Sequence, residues 1–267
     1  MKICLDAGHD GKYNQSNVVP AFYESDFTWT FHLLLKEQLE QYGVEVVTTR
    51  EDQQTPLGLY DRGKLAAGCD LFLSIHSNWA QRESADYPLV IVPLNGTGDE
   101  LGRKLADCIR STMDTQEPAE VWTKASAKGD DWYGVIHGAV SVGVPGIILE
   151  HSFYSNRRCA QWLLDGQNLA QMAQEEAAVI AEHYGLTKAE PTPSVVLPLL
   201  QKGSRGDTVK ALQILLMGYG YDLGYYGADG DFGGKTDTAL RDYQASTGLV
   251  DDGICGDKTW TKLLGLN

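Results

Sequence analysis

The sequence predicts an α/β protein, a twisted and mostly parallel sheet with helices on both faces, followed by a small C-terminal three-helix domain. Three observations carry this reading. Up to about residue 185, short apolar runs of strand type alternate with segments of helical periodicity, the pattern of a sheet built with right-handed crossovers. Near residue 190 the composition changes to a proline-containing stretch, and beyond it come three short helical segments. A chain of 267 residues also exceeds the usual single-core size of about 100 to 200 residues, which favours two domains.

The first apolar run, Ile3-Cys4-Leu5, reads as a buried strand that ends at Gly8-His9. It delivers an imidazole to the open edge where α/β proteins carry their chemistry. After a polar loop, Glu24 opens a helix in which Phe27, Phe31, Leu34, Leu35 and Leu39 recur at helical spacing up to Gln41, closed by Gly43. Val44 to Thr49 alternates as a second strand, Leu57 to Ala67 gives a short helix ended by Gly68, and Leu71 to Ile75 is a third strand that also ends on a histidine, His76. Leu89 to Leu94 is a fourth strand, Asp99 to Met113 an amphipathic helix, Ala119 to Trp122 a short strand and Trp132 to Val140 a brief helix. Gly146 to Glu150 is the last core strand and ends on a carboxylate. Asn156 reads as the cap of one long final helix reaching about Tyr184, with Trp162, Leu169, Met172 and Ala173 on one face.

Between Leu186 and Pro198, the residues Pro191, Pro193 and Pro198 with Thr192 and Ser194 cannot continue a helix and read as an exposed linker. The expected division is therefore residues 1–187, a linker at 188–198, and a small domain at 199–267. In that domain Asp207 is expected to cap a helix from Thr208 to Met217, with a second helix from about Thr236 to Ser246 and a third starting near Asp257. The eight residues from Asp229 to Thr236 match those from Asp252 to Thr259 at five positions, 23 residues further on. Asp229-x-Asp231 with Gly234 in the sixth place has the start of a calcium loop, but the twelfth place holds Leu240 instead of a bidentate Glu. Tight glycine turns leading into helices are the better reading.

A formal charge of −14 sets the surface against phosphate polymers, so no nucleic-acid partner is expected. The acidity is concentrated: residues 195–267 carry 7 Lys and Arg against 9 Asp, a net of −2, which leaves −12 for residues 1–194. No apolar run approaches the roughly 20 residues of a membrane span. The chain opens on its first strand without a basic and then apolar leader, so no secretory signal is expected. Synthesis in the cytoplasm with release through a pore or by lysis fits this, and so does a secreted protein already trimmed. The five cysteines (Cys4, Cys69, Cys108, Cys159 and Cys255) are odd in number, widely spread and without a Cys-x-x-Cys pair. Reduced, mostly buried thiols are expected.

In a parallel sheet the strand ends carrying His9, His76 and Glu150 lie at one carboxyl edge. A catalytic zinc takes three His or carboxylate ligands and keeps one open position. His9, His76 and a carboxylate on the helix beside the first strand, Glu24, meet that count, with Glu150 left to handle protons. Each has a plainer reading too. A single histidine after a strand is more often structural, and a Glu in a first helical turn is favoured there by the helix dipole. Spacing also leaves open the reverse assignment, in which Glu150 ligates and Glu24 caps the helix, because nothing here has the short-range specificity of His-Glu-x-x-His. His151 falls on the opposite face of its strand and is not expected to act in catalysis.

The runs Leu5-Asp6-Ala7-Gly8-His9, Thr49-Arg50 with Asp61-Arg62, Ser74-Ile75-His76-Ser77-Asn78 and Leu149-Glu150-His151-Ser152-Phe153-Tyr154-Ser155-Asn156, with the helix-opening Glu24, narrow the choice. Together they resemble the zinc-dependent N-acetylmuramoyl-L-alanine amidases of the third amidase family, in order and over essentially all of residues 1–185. The resemblance implies zinc (Zn2+) held at His9, Glu24 and His76, and a catalytic glutamate at Glu150. Two positions depart from the family: Asp10, where Gly is usual, and His137, where Arg is frequent. Neither is an implied ligand, but substrate-contacting residues are not carried over. Residues Leu199 to Leu264 resemble the three-helix peptidoglycan-binding domains, through Leu212-Gln213, Asp229-Gly230-Asp231-Phe232-Gly233, Tyr243-Gln244, Gly248-Leu249, Asp252-Gly253 and Thr259-Trp260.

The two resemblances imply a cell-wall hydrolase of endolysin or autolysin type acting on bacterial peptidoglycan. It would cut the amide between the lactyl group of N-acetylmuramic acid and the L-alanine of the stem peptide, with the C-terminal domain holding it at the wall. A zinc peptidase cutting within the stem peptide shares the same residues. So does a wall-binding protein with an inactive catalytic domain, although the presence of His9, Glu24, His76 and Glu150 together speaks against it.

Overall fold

The computed structural model describes residues 1–188 and 197–265. The chain divides into two compact units, residues 1–190 and 191–267. Pro191 and Pro193, on which the expected linker rests, lie outside the described residues.

The first unit holds one six-stranded sheet of β1 (Lys2–Ala7), β2 (Glu45–Thr48), β3 (Leu71–Asn78), β4 (Leu89–Ile91), β5 (Glu120–Trp122) and β6 (Gly146–Phe153), in the order β2-β1-β3-β6-β4-β5. The four strands β2, β1, β3 and β6 run parallel, whereas β4 meets β6 antiparallel and pairs in parallel with β5. The sheet is thus mostly parallel with a reversed edge. The connection explains the reversal: residues 79–88 between β3 and β4 are fewer than the dozen or more a parallel crossover needs. β4 is shorter than the run from Leu89 to Leu94 because Pro93 has no N–H to extend the ladder.

Both faces are covered, which is why the central strands read as continuous apolar runs. Ile3, Leu5, Leu71, Leu73, Ile75, Ile147 and Leu149 pack toward α1 (Glu24–Glu40), α3 (Asp99–Met113) and α6 (Gly166–Tyr184). Cys4, Phe72 and Ile148 alternate to the other face, against α4 (Gly134–Ser141) and Ala66, just past α2 (Leu59–Lys64). α2 and α4 cross backbone to backbone. A methyl group on Gly63 would strike the carbonyl of Val135, and one on Gly138 that of Tyr60. All five cysteines are free thiols; four are buried and Cys108 is half-buried.

The single long helix expected after Asn156 is two helices, a correction with a local cause. The Asn156 side chain accepts from the amides of Arg158 and Cys159 (2.9 and 3.3 Å) and so caps only α5 (Arg157–Trp162). Asp165 then caps α6 afresh, accepting from Gln167 and Asn168 (2.8 and 3.2 Å). The Asp165 cap satisfies amides that a continuous helix would have bonded internally.

In the second unit α7 (Asp207–Gly218), α8 (Gly234–Ser246) and α9 (Asp257–Leu263) enclose Val209, Leu212, Leu216, Leu240, Tyr243, Trp260 and Leu263. Here too an expected cap is corrected. Gly206, at φ 114°, occupies the cap position, and Asp207 is the first helical residue and makes no side-chain cap. A conformation with positive φ excludes the Asp that would otherwise cap. The sequence repeat has a structural counterpart. The buried Gln213 donates to the Asp229 carboxylate (2.9 Å) and the Asp231 carbonyl (3.1 Å) and accepts from Gly230 N (2.7 Å). Gln244 does the same with Asp252, Ile254 and Gly253, each at 3.0 Å. Asp229 is committed to this turn, where its carboxylate also accepts from Asp231 N at 2.9 Å.

Candidate metal centre and active-site cleft

β1 stops at Ala7, and the next two residues are bent out of the strand, His9 adopting φ 57°. A non-glycine residue in that region is strained and must be held there. Two side chains do the holding, through three carbonyls. Arg50 Nη2 donates to Ala7 O and His9 O (2.6 and 2.5 Å), and Thr28 Oγ1 to Gly8 O (2.6 Å). Gly8 itself has no room for a side chain, because a Cβ there would strike the ring of His76.

Beneath the turn, Asp6 is fully buried and bound by four donors: Arg62 Nε (2.8 Å) and Nη2 (2.5 Å), Thr49 Oγ1 (2.7 Å) and Ser74 Oγ (2.7 Å). Burial pushes its carboxyl up, but the Arg62 guanidinium and the hydroxyl donors outweigh it and hold it below the usual carboxylate range. Thr49, Arg50, Arg62 and Ser74, which the family resemblance grouped with the strand ends, are thus the scaffold of the His9 turn.

Glu24 is the first residue of α1 and is 2% exposed. Its Oε1 lies 2.8 Å from His76 Nδ1 and accepts from Ser77 N at 3.1 Å. Its Oε2 lies 3.2 Å from His9 Nε2 and accepts from Asn14 Nδ2 at 2.6 Å. One donor atom from each of His9, Glu24 and His76 falls within 4.8 Å of the others, the one such cluster of three among the described residues. A divalent metal can be held there. Burial raises the Glu24 carboxyl, yet the two histidines facing it prevail and keep it well below the ordinary range, so it is an anion.

Glu150 sits opposite His76 in the β3–β6 register, and neither residue ends its strand as expected, because the two strands go on pairing past an irregularity to Asn78 and Phe153. Its Oε2 is enclosed and has no hydrogen-bond partner. Burial first, and then the negative charge of Glu24, pushes its carboxyl well above the usual value. Both carboxylates and both histidines line one cleft of about 340 Å³, walled also by Asn14, Leu59, Asn78, Trp79, Tyr133 and Tyr154. Burial, with Glu24 and Glu150 nearby, pushes the Tyr154 phenol up to about 12, so it stays protonated and can donate. His151 points away into the core, and His137 does not line the cleft; its ring packs edge-on against Tyr60 at 5.2 Å.

Of the wall residues, Asn78 and Tyr154 fall in the runs that carry the resemblance, whereas Asn14, Leu59, Trp79 and Tyr133 escaped the sequence reading. Asn14 lies in an aperiodic loop, and Tyr133 and Trp79 adjoin elements that periodicity reads only as core. The available signal was Trp79, an aromatic residue three positions past His76 and 53% exposed.

Residues 3–182 match the family described as N-acetylmuramoyl-L-alanine amidase. The chain belongs to this family. Residues 205–263, in the second unit, match a peptidoglycan binding domain. The N-acetylmuramoyl-L-alanine amidase CwlL of Bacillus licheniformis is 31% identical over 119 residues, 42% of this chain and 32% of that protein. A probable N-acetylmuramoyl-L-alanine amidase of the same organism is 30% identical over 116 residues, 42% of this chain and 33% of that protein. The matches thus span about a third of the length of these curated relatives. Among solved structures, the catalytic domain of the amidase CwlV from Bacillus (Paenibacillus) polymyxa superposes with a TM-score of 0.59 at 22% identity, over 70% of this chain and 99% of that one. The Nostoc punctiforme amidase AmiC2 gives 0.59 at 22%, over 69% and 97%. The amidase fold of the first unit is the one those structures share. Among the described residues, no helix is long and apolar enough to cross a membrane.

Proposed function

We propose that this chain is a zinc-dependent peptidoglycan hydrolase that cleaves the amide joining the lactyl group of N-acetylmuramic acid to the L-alanine of the stem peptide. The observation that carries the reading is the convergence of His9, Glu24 and His76 beside the enclosed Glu150 in one cleft of an amidase-family fold. Two imidazoles and an anionic carboxylate suit zinc, and His9, Glu24 and His76 would hold it as three protein ligands, the number a catalytic zinc takes. When bound, zinc supplies Lewis acidity, acidifying water and polarising the scissile carbonyl.

The chain's own residues supply the rest. Asn14 holds the Glu24 carboxylate in place, and Arg50 with Thr28 holds the His9 turn. Glu150 accepts a proton from the attacking water as the hydroxyl joins the lactyl carbonyl carbon. The carbon–nitrogen bond then breaks, and Glu150 returns the proton to the leaving L-alanine nitrogen. The Tyr154 phenol is available to donate a hydrogen bond within the cleft.

In this reading residues 1–187 are catalytic, 188–198 a linker and 199–267 a wall-binding domain, an arrangement of endolysin or autolysin type. The separate core of the second unit and its match to a peptidoglycan binding domain support the last assignment. The test is digestion of purified cell wall followed by mass spectrometry. Intact stem peptides with a free L-alanine amine are expected, lost on chelation and restored by zinc. Cleavage inside the stem peptide would instead make the protein a zinc peptidase, and wall binding without any cleavage would make it an inactive wall-binding protein.

A further inference from the structure

His151 follows Glu150 on β6, and its side chain goes to the opposite face, where neither it nor its partner Glu176 is reached by solvent. Phe27 and Phe31 of α1 meet its ring edge-on at 5.4 and 4.8 Å. Glu176 of α6 brings Oε1 to 2.7 Å from Nε2, and Nδ1 lies 3.1 Å from the carbonyl oxygen of His76. A carbonyl only accepts, so Nδ1 carries a hydrogen. Nε2 and Oε1 then share one further proton, and the pair is neutral as a whole however that proton is divided. Oε2 of Glu176 is enclosed without a partner. An apolar pair would fill the same volume without leaving a buried oxygen unbonded. The return for the polar pair lies in what it grips.

The carbonyl of His76 and the amide of Ser77 are two ends of one peptide group, at the irregularity of the β3–β6 ladder between His76 and Asn78. His151 holds the carbonyl end, and Glu24 Oε1 holds the N–H end at 3.1 Å. A peptide group is planar, so fixing both ends fixes its rotation, and with it the exit direction of the His76 side chain. The same N–H orients the Glu24 carboxylate, whose Oε1 is 2.8 Å from His76 Nδ1. A continuous chain of hydrogen bonds therefore runs from Glu176 on α6 through His151 and the peptide group between residues 76 and 77 to Glu24.

We infer that the Glu176–His151 pair is a positioning device for the metal centre, pre-setting two of its three donors from the far face of the sheet. The inference rests on the reading of His9, Glu24 and His76 as the metal site. Its requirement is a hydrogen bond to Nε2, not a charge, and this separates the variants. In Glu176→Gln the amide donates to Nε2 and leaves Nδ1–H on the carbonyl; Glu176→Leu releases the ring.

The experiment measures zinc affinity by chelator competition and kcat and KM on a soluble muropeptide, with circular dichroism of each zinc-free variant to establish folding. Glu176→Leu should lose about tenfold or more in zinc affinity, the scale seen when residues behind metal ligands are removed, and should lose kcat with KM little changed. Glu176→Gln should stay close to wild type in both. Should Glu176→Leu fail to fold, His151→Gln, whose one donor nitrogen cannot serve acceptors on opposite sides of the ring, carries the same expected loss. A folded Glu176→Leu or His151→Gln with wild-type affinity and kcat overturns the inference, as does a Glu176→Gln as defective as Glu176→Leu. A wild type that binds no zinc removes the metal reading itself, and the inference with it, before any variant is compared.

Discussion

His76 and Glu150 are register partners on the parallel strands β3 and β6, so both side chains leave the sheet on the same side by backbone geometry alone. Electrostatic surroundings then distinguish the carboxylates that share this cleft. Glu24 faces two imidazoles and is held low, whereas Glu150 has no partner and is pushed up. Such a split is what the proposed roles require, one carboxylate to hold charge and the other to carry protons.

Zinc should therefore depend on one carboxylate and not on the other. Equilibrium dialysis of His9→Ala, His76→Ala and Glu24→Gln is expected to show loss of bound zinc, with Glu150→Gln retaining one ion per chain. Loss in Glu150→Gln together with retention in Glu24→Gln would reverse the two roles.

For Glu150→Gln, turnover should fall by about 10²-fold or more with fold and zinc intact. Stability moves the other way. Since the folded pKa of Glu150 is raised above its unfolded value, the native state binds more protons, and its contribution is full below the ordinary Glu range and lost as pH rises through the folded value. Thermal unfolding of the chelated proteins should show Glu150→Gln gaining over wild type as pH climbs from about 4, near the ordinary Glu value, toward neutrality. A constant difference across that range would contradict it.

Arg62→Leu leaves Asp6 as a buried charge without its ion partner. Urea unfolding should show a loss of about 3 to 5 kcal/mol at neutral pH. Asp6 is depressed in the native protein, so its contribution is present above the ordinary Asp pKa and lost as pH falls through the folded value. In the variant the isolated carboxyl is relieved by protonation, so the gap to wild type should narrow in acid. A gap that widens in acid would remove the ion pair as the cause.

A fragment of residues 199–267 should bind purified cell wall without hydrolysing it, and a fragment ending near Lys188 should cut soluble muropeptides but work poorly on whole cells. With little net charge and with Tyr225 and Tyr226 exposed, the small unit should bind through shape and aromatic contact. Its affinity should change by less than about threefold between roughly 50 and 200 mM salt, where multiple ion contacts would cost far more. Pull-down with wall at both salt levels measures this.

Much of the fold was legible because its signals are local. The spacing of Phe27, Phe31, Leu35 and Leu39 marks the buried face of α1, and the runs at Ile3–Leu5, Leu71–Ile75 and Gly146–Leu149 mark strands covered on both sides. The break between α5 and α6 was not legible, since helical periodicity carries across Asp165 while only its side chain, turned back onto two amides, ends one helix and starts the next. Nor was the Gly206 cap, which depends on a φ of 114° that no pattern of apolar residues encodes.

By itself the sequence determined the order of strands and helices, and so that His9 follows a strand, Glu24 opens a helix and His76 and Glu150 lie toward the carboxyl ends of theirs, in an α/β domain followed by a helical one. Only the tertiary structure decided that β1, β3 and β6 are neighbours, and so whether those ends meet. It also decided that Asp6 is claimed by Arg62, Thr49 and Ser74, that Asn14 turns onto Glu24, and that Glu176 reaches His151. The reason is range. Periodicity and turn chemistry are set within a few residues, whereas the partner of a buried polar group is whichever group packing brings alongside once water is excluded, and in this chain those partners lie 10 to 68 residues apart.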